Sequence, residues 1–262
     1  MKMLFWFAAI LLLTYTAFCL LIYTQQEQFL FYPTKLSTDF RYSFTAPFTE
    51  VMLPVNGATL NVVHFTHPQA KGVILYLHGN GDLIARMAGV ADFFSGLGYD
   101  VVIPDYRGYG KSTGAITNEQ DLHDDLAAVY HYVQEHYPES HITLYGQSLG
   151  SGLAAKLAAT HQPARLILES PYYSMRAMSA LHFSWVPRFL LKYQLRTDLW
   201  LPQVRCPVYL IHGTVDPVIP YAASEQLYTL ISQKKELFTV SDGGHNLLLG
   251  SEAVQTFLKK IL

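Results

Sequence analysis

Tyr145-Gly146-Gln147-Ser148-Leu149-Gly150 decides how this chain reads. It joins an apolar run, His141-Ile142-Thr143-Leu144-Tyr145, to a small-residue stretch from Ser151 to Thr160. A Gly-x-Ser-x-Gly pentapeptide with a strand before it and a helix after it is the sequence form of a sharp strand-to-helix turn. Such a turn holds its serine in a strained backbone conformation, with the hydroxyl exposed beyond the sheet edge. The small flanking residues let strand and helix approach closely. The helix N-terminus then lies under the place where negative charge would develop.

Working outward, Val73-Ile74-Leu75-Tyr76-Leu77 is a short continuous apolar run, as expected of a strand buried on both faces. Tyr99 to Pro104, Arg165 to Leu168, Val208 to Ile211 and Glu236 to Val240 read as further strands. Helices are expected over Asp82 to Gly96, Thr117 to Tyr137 with Thr117 as N-cap, Leu149 to Thr160, Tyr221 to Ile231 and Leu247 to Leu262. Val51 to Val55 and Thr59 to Phe65 flank Asn56-Gly57, a hairpin signal. Strands alternating with helices imply an α/β fold: a mostly parallel central sheet with helices on both faces, edged by the antiparallel hairpin. Pro171 to Pro202 breaks the rhythm and carries Tyr172, Tyr173, Phe183, Trp185, Phe189 and Tyr193. It reads as a small helical cap near the carboxyl ends of the strands, where sites form.

The first segment has a different character. Leu4 to Tyr23 is twenty residues without a charge, about the span of a bilayer's hydrocarbon core. A cleaved signal peptide would have a shorter apolar region ending at a small-x-small site. Here the apolar run continues past Thr14-Tyr15-Thr16-Ala17 through Phe18-Cys19-Leu20-Leu21-Ile22, so an uncleaved single-pass anchor is expected. Lys2 before the span favours an inside N-terminus, with the body on the non-cytoplasmic side. Residues 1–24 thus read as the anchor, 25–50 as linker and edge segment, and 51–262 as the main domain with the cap at 171–202. Phe29-Leu30-Phe31-Tyr32-Pro33 is expected against either the membrane surface or that domain.

Half of the 262 residues are apolar, enough for a large core, and net charge is −2 with no Lys/Arg stripe. Nucleic acid is therefore a poor candidate partner. The two cysteines, Cys19 and Cys206, do not form a disulfide framework, and no Cys/His cluster has zinc spacing. No metal or cofactor is expected.

Acyl transfer from a serine needs a base to take the hydroxyl proton and a carboxylate to orient that base. Both should lie in loops after later strands, in the order Ser, acid, His. His212-Gly213-Thr214-Val215-Asp216-Pro217 follows one such strand and Ser241-Asp242-Gly243-Gly244-His245-Asn246 the next. Alone, Asp216 could be a turn residue and His245 a loop tip. In this order, beside Ser148, they are the expected acid and base. Asp242, three residues from His245 on the same loop, is the rival acid and poorly placed. The loop His78-Gly79-Asn80-Gly81 follows the apolar run at 73–77. An oxyanion hole is expected there, from the amides of Asn80 and Leu149. His78 and His212, each before a glycine at a strand end, read as structural hydrogen-bonders. Asp105 to Ser112 ends like a phosphate loop but lacks its spacing, and reads as an Asp/Arg turn bracing the site. Asp121, Asp124 and Asp125 read as a solvated helix face, with one carboxylate turned inward.

These segments, in order, resemble the α/β-hydrolase superfamily over nearly all of the chain after Val51, most of all its membrane-anchored Bem/ABHD-type branch. The resemblance implies a serine hydrolase with Ser148, Asp216 and His245 as triad and Asn80 and Leu149 at the oxyanion hole. Some members of that branch are depalmitoylating thioesterases or lipid esterases. With the aromatic cap (Tyr172, Phe183, Trp185, Phe189) as substrate contacts, the expected substrate is a small-molecule or lipid-like acyl ester or thioester. Two alternatives stand beside this. One is an amidase or aminopeptidase-like enzyme with Glu169 gripping the amine. The other is a non-catalytic membrane scaffold on the same fold.

Overall fold

The computed structural model describes residues 1–246 and 248–262. An N-terminal helix α1 (Lys2–Thr24) and a short α2 (Gln26–Leu30) precede the hairpin strands β1 (Phe48–Val55) and β2 (Ala58–Phe65). Then come β3 (Val73–Leu77), α3 (Ala88–Gly96), β4 (Asp100–Pro104), α4 (Glu119–Gln134), β5 (Ile142–Gln147), α5 (Leu149–Thr160) and β6 (Arg165–Glu169). The cap holds α6 (Met175–His182) and α7 (Thr197–Trp200). β7 (Val208–Gly213), α8 (Ala222–Leu230), β8 (Lys235–Val240) and α9 (Glu252–Ile261) complete the chain. The eight strands form one sheet in the order β1-β2-β4-β3-β5-β6-β7-β8. Only the β1–β2 and β2–β4 pairs are antiparallel, as the hairpin signal implies.

The pleat sorts each apolar run onto two cores. Val73, Leu75 and Leu77 join one cluster with α4, α5 and α8, while Ile74 and Tyr76 join the other with α3 and α9. Burial on both faces is why these strands read as unbroken apolar runs rather than alternations. The chain winds in opposite directions from β3, to β4 on one side and β5 on the other. The loops after β3 and β5 therefore diverge and leave a crevice at their carboxyl ends, where ligands bind in such sheets. Leu77 pairs with Gly146, so the two loops leave the sheet at the same level.

Three helix starts differ from expectation. The helix expected from Asp82 begins at Ala88, after an extended Leu83 and a 3-10 turn at 84–86. The Ile84 amide donates to Asp105 Oδ1 at 2.8 Å, a tertiary bond that holds this stretch out of the helix. The helix expected from Thr117 is capped instead by Asn118, whose side chain accepts from the Asp121 amide at 2.9 Å. Thr117 donates its hydroxyl to the Asp121 carboxylate at 2.6 Å. That helix ends at Gln134, its last turn tightening through bonds from Glu135, His136 and Tyr137 back to His131 and Val133, and Tyr137, before Pro138, is kept out of helical geometry. The expected start of the closing helix, Leu247, lies outside the described residues; α9 itself starts at Glu252.

Arg107 does not brace the crevice. Its guanidinium forks onto the buried Asp125 of α4, at 2.8 and 2.6 Å, and donates to the Asn56 carbonyl of the hairpin turn. Asp125 is the inward carboxylate of the acidic helix face. Arg107→Ala leaves that carboxylate buried and unpaired, which should cost about 3–5 kcal/mol. A urea unfolding curve checks this, with Arg86→Ala, whose pair is exposed, expected to cost under about 1 kcal/mol.

Candidate active site

The site grows from the elbow between β5 and α5. Ser148 has φ 50° and ψ −115°, in the left-handed region that L-residues avoid. What holds it there is packing with no room for side chains on either flank. A Cβ at Gly146 would come within 2.4 Å of the Gly150 carbonyl oxygen. One at Gly150 would come within 2.1 Å of the Leu77 carbonyl oxygen. Strand, helix and the β3 loop thus meet at van der Waals distance, and the strain is offset by the core around them.

Ser148 Oγ lies 3.0 Å from His245 Nε2, and His245 Nδ1 lies 2.7 Å from Asp216 Oδ2. An ionised carboxylate can only accept, so Nδ1 carries the proton and Nε2 faces the hydroxyl as acceptor. Three loops, after β5, β7 and β8, bring these residues together. The Asp216 side chain is buried and receives four donors: His245, His212 Nε2 at 3.1 Å, and the amides of Val218 and Ile219 at 2.8 Å each. Burial alone would raise its pKa. The hydrogen bonds from His212, His245 and the two amides outweigh that and hold the carboxyl well below the usual range. His212 is itself oriented by the Ser224 hydroxyl, 2.6 Å from its Nδ1. Asp242 sits on an exposed turn, its amide donating to Thr214 Oγ1, and makes no hydrogen bond to His245.

The β3 loop runs beside the elbow: a Cβ at Gly79 would lie 3.6 Å from Ser148 Cβ. The Asn80 and Leu149 amides have no backbone acceptor among the described residues. Asn80's side chain has a separate task that its sequence position does not announce. It accepts from the Tyr109 hydroxyl (2.7 Å) and the Tyr32 amide (3.1 Å), and donates to the Leu30 carbonyl (2.8 Å). His78 is wholly buried, with Nδ1 bonded to the Gly79 carbonyl at 2.8 Å. Burial pushes its imidazole down to about 4. Asp105 lies under the same loop, 3.6 Å from His78 Nε2, and burial raises its carboxyl to about 7.

Ser148 and His245 open into a cavity of about 930 Å³, within the range of small-molecule sites. Tyr172, Phe183 and Trp185 line it, as the cap composition implies. Phe189 does not: its ring is 86% exposed and Leu191 takes the inward position. Glu169 does not line it either. It is buried beneath the elbow, where it accepts from the Tyr145 hydroxyl and its carbonyl accepts the Ser148 amide at 2.9 Å. Asp82 is the carboxylate on the cavity wall. Among the described residues, no three His, Cys, Asp or Glu side chains group as metal ligands.

Burial raises the Glu169 carboxyl from 4.5 to about 7, against the opposing pull of the Tyr145 hydroxyl and His245. Between these values the folded chain holds a proton that the unfolded chain has released. This group therefore withdraws stability as pH rises through the window. Glu169→Gln removes that dependence, so native stability minus variant stability should fall between pH 4.5 and pH 7 in urea titrations. An equal difference at both ends would contradict the assignment.

The model of the family described as serine aminopeptidase, S33, matches residues 68–201. An uncharacterized protein of Mycobacterium tuberculosis is 29% identical over 245 residues, covering 91% of this chain and 86% of that one. Lysophosphatidylserine lipase ABHD12 of Danio rerio is 33% identical over 196 residues, covering 66% of this chain and 49% of that protein. The chain thus spans about half the length of the lipase relatives it matches. Among solved structures, the Pyrococcus furiosus esterase Pf2001 superposes with a TM-score of 0.72 at 18% identity, covering 88% of this chain and 96% of that one. At that identity the likeness concerns the fold. With a matching family model over half its length, this chain belongs to the serine aminopeptidase S33 family of the α/β-hydrolase superfamily, has ABHD-type relatives, and is a hydrolase.

Proposed function

We propose that the chain is a membrane-anchored serine hydrolase that cleaves carboxylic esters or thioesters of lipid-like acyl groups. The observation that carries this reading is the hydrogen-bonded chain Ser148–His245–Asp216 opening into an apolar cavity. Ser148 Oγ attacks the acyl carbon while His245 Nε2 takes its proton. The amide of Asn80, on the loop after β3, and that of Leu149, at the N-terminus of α5, receive the developing alkoxide. Collapse breaks the bond to the leaving alcohol or thiol, which takes the proton from His245. Water, deprotonated by the same imidazole, then releases the acid and restores Ser148. Asp216 holds the imidazole in the working tautomer throughout.

Residues 1–24 serve as the anchor in this reading, 25–50 as the linker and edge segment, and 51–262 as the catalytic domain with its cap at 171–202. α1 is long and apolar enough to cross a bilayer. The basic Lys2 ahead of it favours a catalytic domain on the non-cytoplasmic side. A lipase of lysophosphatidylserine among the relatives supports a lipid-like substrate.

The family's description favours a second reading, an aminopeptidase. Such an enzyme wants a free carboxylate to grip the substrate amine. Glu169 is buried away from the cavity, and Asp82 on its wall lies 3.9 Å from Arg86. A series of p-nitrophenyl esters and acyl-CoAs of rising chain length, run beside aminoacyl p-nitroanilides, separates the two. Turnover of acyl substrates with none of the anilides is the expected result. Anilide turnover without ester turnover would favour the peptidase, and a flat zero profile the scaffold.

A further inference from the structure

The cavity has two walls of different origin. The cap supplies one. The other comes from α1 and α2, ahead of the hydrolase domain. Along α1 the residues before Phe18 are exposed, apart from a half-buried Ala9; Phe18, Cys19 and Ile22 are half-buried, and Leu21 between them stays exposed. From there Phe18, Leu21 and Ile22 line the cavity, and Phe29 of α2 continues the wall. Phe18 meets Trp185 of the cap with ring centroids 5.2 Å apart, so the two walls touch.

The junction of α1 and α2 is fastened to the cap. Gln26 is 4% exposed, and its carboxamide is satisfied at both ends by distant backbone. Oε1 accepts from the Lys192 amide at 2.8 Å, and Nε2 donates to the Leu190 carbonyl at 3.0 Å. Beside it, Glu27 accepts from Lys192 Nζ at 3.0 Å and from the Tyr193 hydroxyl at 2.8 Å. Lys192 also sits 4.9 Å from the centre of the Tyr23 ring. A tether needs only a flexible linker. Buried hydrogen bonds at both ends of the Gln26 carboxamide fix the angle and rotation of α1 against the cap.

Depth along the helix adds to this. Phe18 precedes the end of α1 at Thr24 by six residues, about 9 Å of helical rise. The helix as a whole rises about 34 Å, against a hydrocarbon core of about 30 Å. With α1 as the span, Phe18, Leu21 and Ile22 belong to its end, at the depth where lipid acyl chains lie, and Phe29 follows just beyond it.

We infer that the last two turns of α1, with α2, are the specificity-determining wall of the acyl pocket, and that the acyl chain is taken from the bilayer along them. This rests on the hydrolase reading above. Gln26 is the positioning residue that holds the wall in place. The anchor is thereby part of the binding site, and long chains depend on it more than short ones.

The test uses the full chain in lipid nanodiscs, reading the ratio of kcat/KM for p-nitrophenyl palmitate to that for the butyrate. Ile22→Trp fills the wall and Phe18→Ala removes its contact with the cap. Each should lower the ratio about tenfold or more, while Leu11→Trp, on the lipid-exposed part of α1, leaves it unchanged. Gln26→Leu should lower it in the same direction without touching a reacting atom. A ratio within about twofold of the native one in both Ile22→Trp and Phe18→Ala would overturn the inference. Fluorophosphonate labelling of Ser148 is scored on the same samples. An unlabelled native chain defeats the hydrolase reading, whereas normal labelling with an unchanged ratio defeats only the wall.

Discussion

Replacing Ser148 by alanine is expected to lower ester turnover by ~10⁵-fold or more while leaving the fold intact. Without Oγ there is no nucleophile within reach of the acyl carbon. In the proposed mechanism the Asn80 and Leu149 amides alone then give only the residual acceleration of a polarised carbonyl attacked by water. Stability should change little. Among the described residues the hydroxyl's one hydrogen-bond partner is His245 Nε2, and the Ser148→Ala side chain keeps the same backbone restrictions at φ 50°. Steady-state hydrolysis and a thermal melt measure the two arms. Residual activity above about one per cent of native, in a cleanly folded variant, would place the nucleophile elsewhere.

Asp216→Asn is expected to cost about 10⁴-fold in kcat, for a reason the geometry makes specific. Oδ1 of Asp216 accepts from two backbone amides and Oδ2 from two imidazoles. A carboxamide has one oxygen and one NH2. If the oxygen stays with the amides, the NH2 faces both histidines. His245 must then accept at Nδ1, which puts its proton on Nε2, where it can no longer take one from Ser148. Turning the carboxamide over restores the tautomer but sets the NH2 against the N–H donors of Val218 and Ile219, at a cost in stability. The first arrangement loses rate and the second loses stability, so kcat with a matched unfolding curve tells them apart. Asp242→Asn, at the exposed turn, should change kcat less than about twofold. A larger loss there than at Asp216 would reverse the assignment of the acid.

The sheet and the juxtaposition of Ser148, Asp216 and His245 on three loops were legible because each depends on local pattern. A strand covered on both faces must be apolar throughout, as Val73 to Leu77 is. A strand-to-helix turn without room for side chains must be flanked by glycines, as Ser148 is. The order of Asp216 and His245 follows from the winding of the sheet. What stayed hidden depends on partners far apart in sequence. Ile84 is kept out of a helix by Asp105, and Arg107 turns toward α4 rather than the site. Asn80 ties down residues 30–32 through its side chain. Gln26 grips backbone 164 and 166 residues away, and no periodicity records that. Aromatic composition marks a cap but cannot say which rings face inward, so Phe189 read the same as Trp185.

The most direct measurement is peptide mapping by mass spectrometry after treatment with a fluorophosphonate. The expected result is one adduct per chain, on Ser148, lost in Ser148→Ala and formed far more slowly in His245→Ala. An unmodified Ser148 in a native, folded chain would contradict the proposed acyl-enzyme chemistry. So would modification of a different serine with hydrolysis abolished.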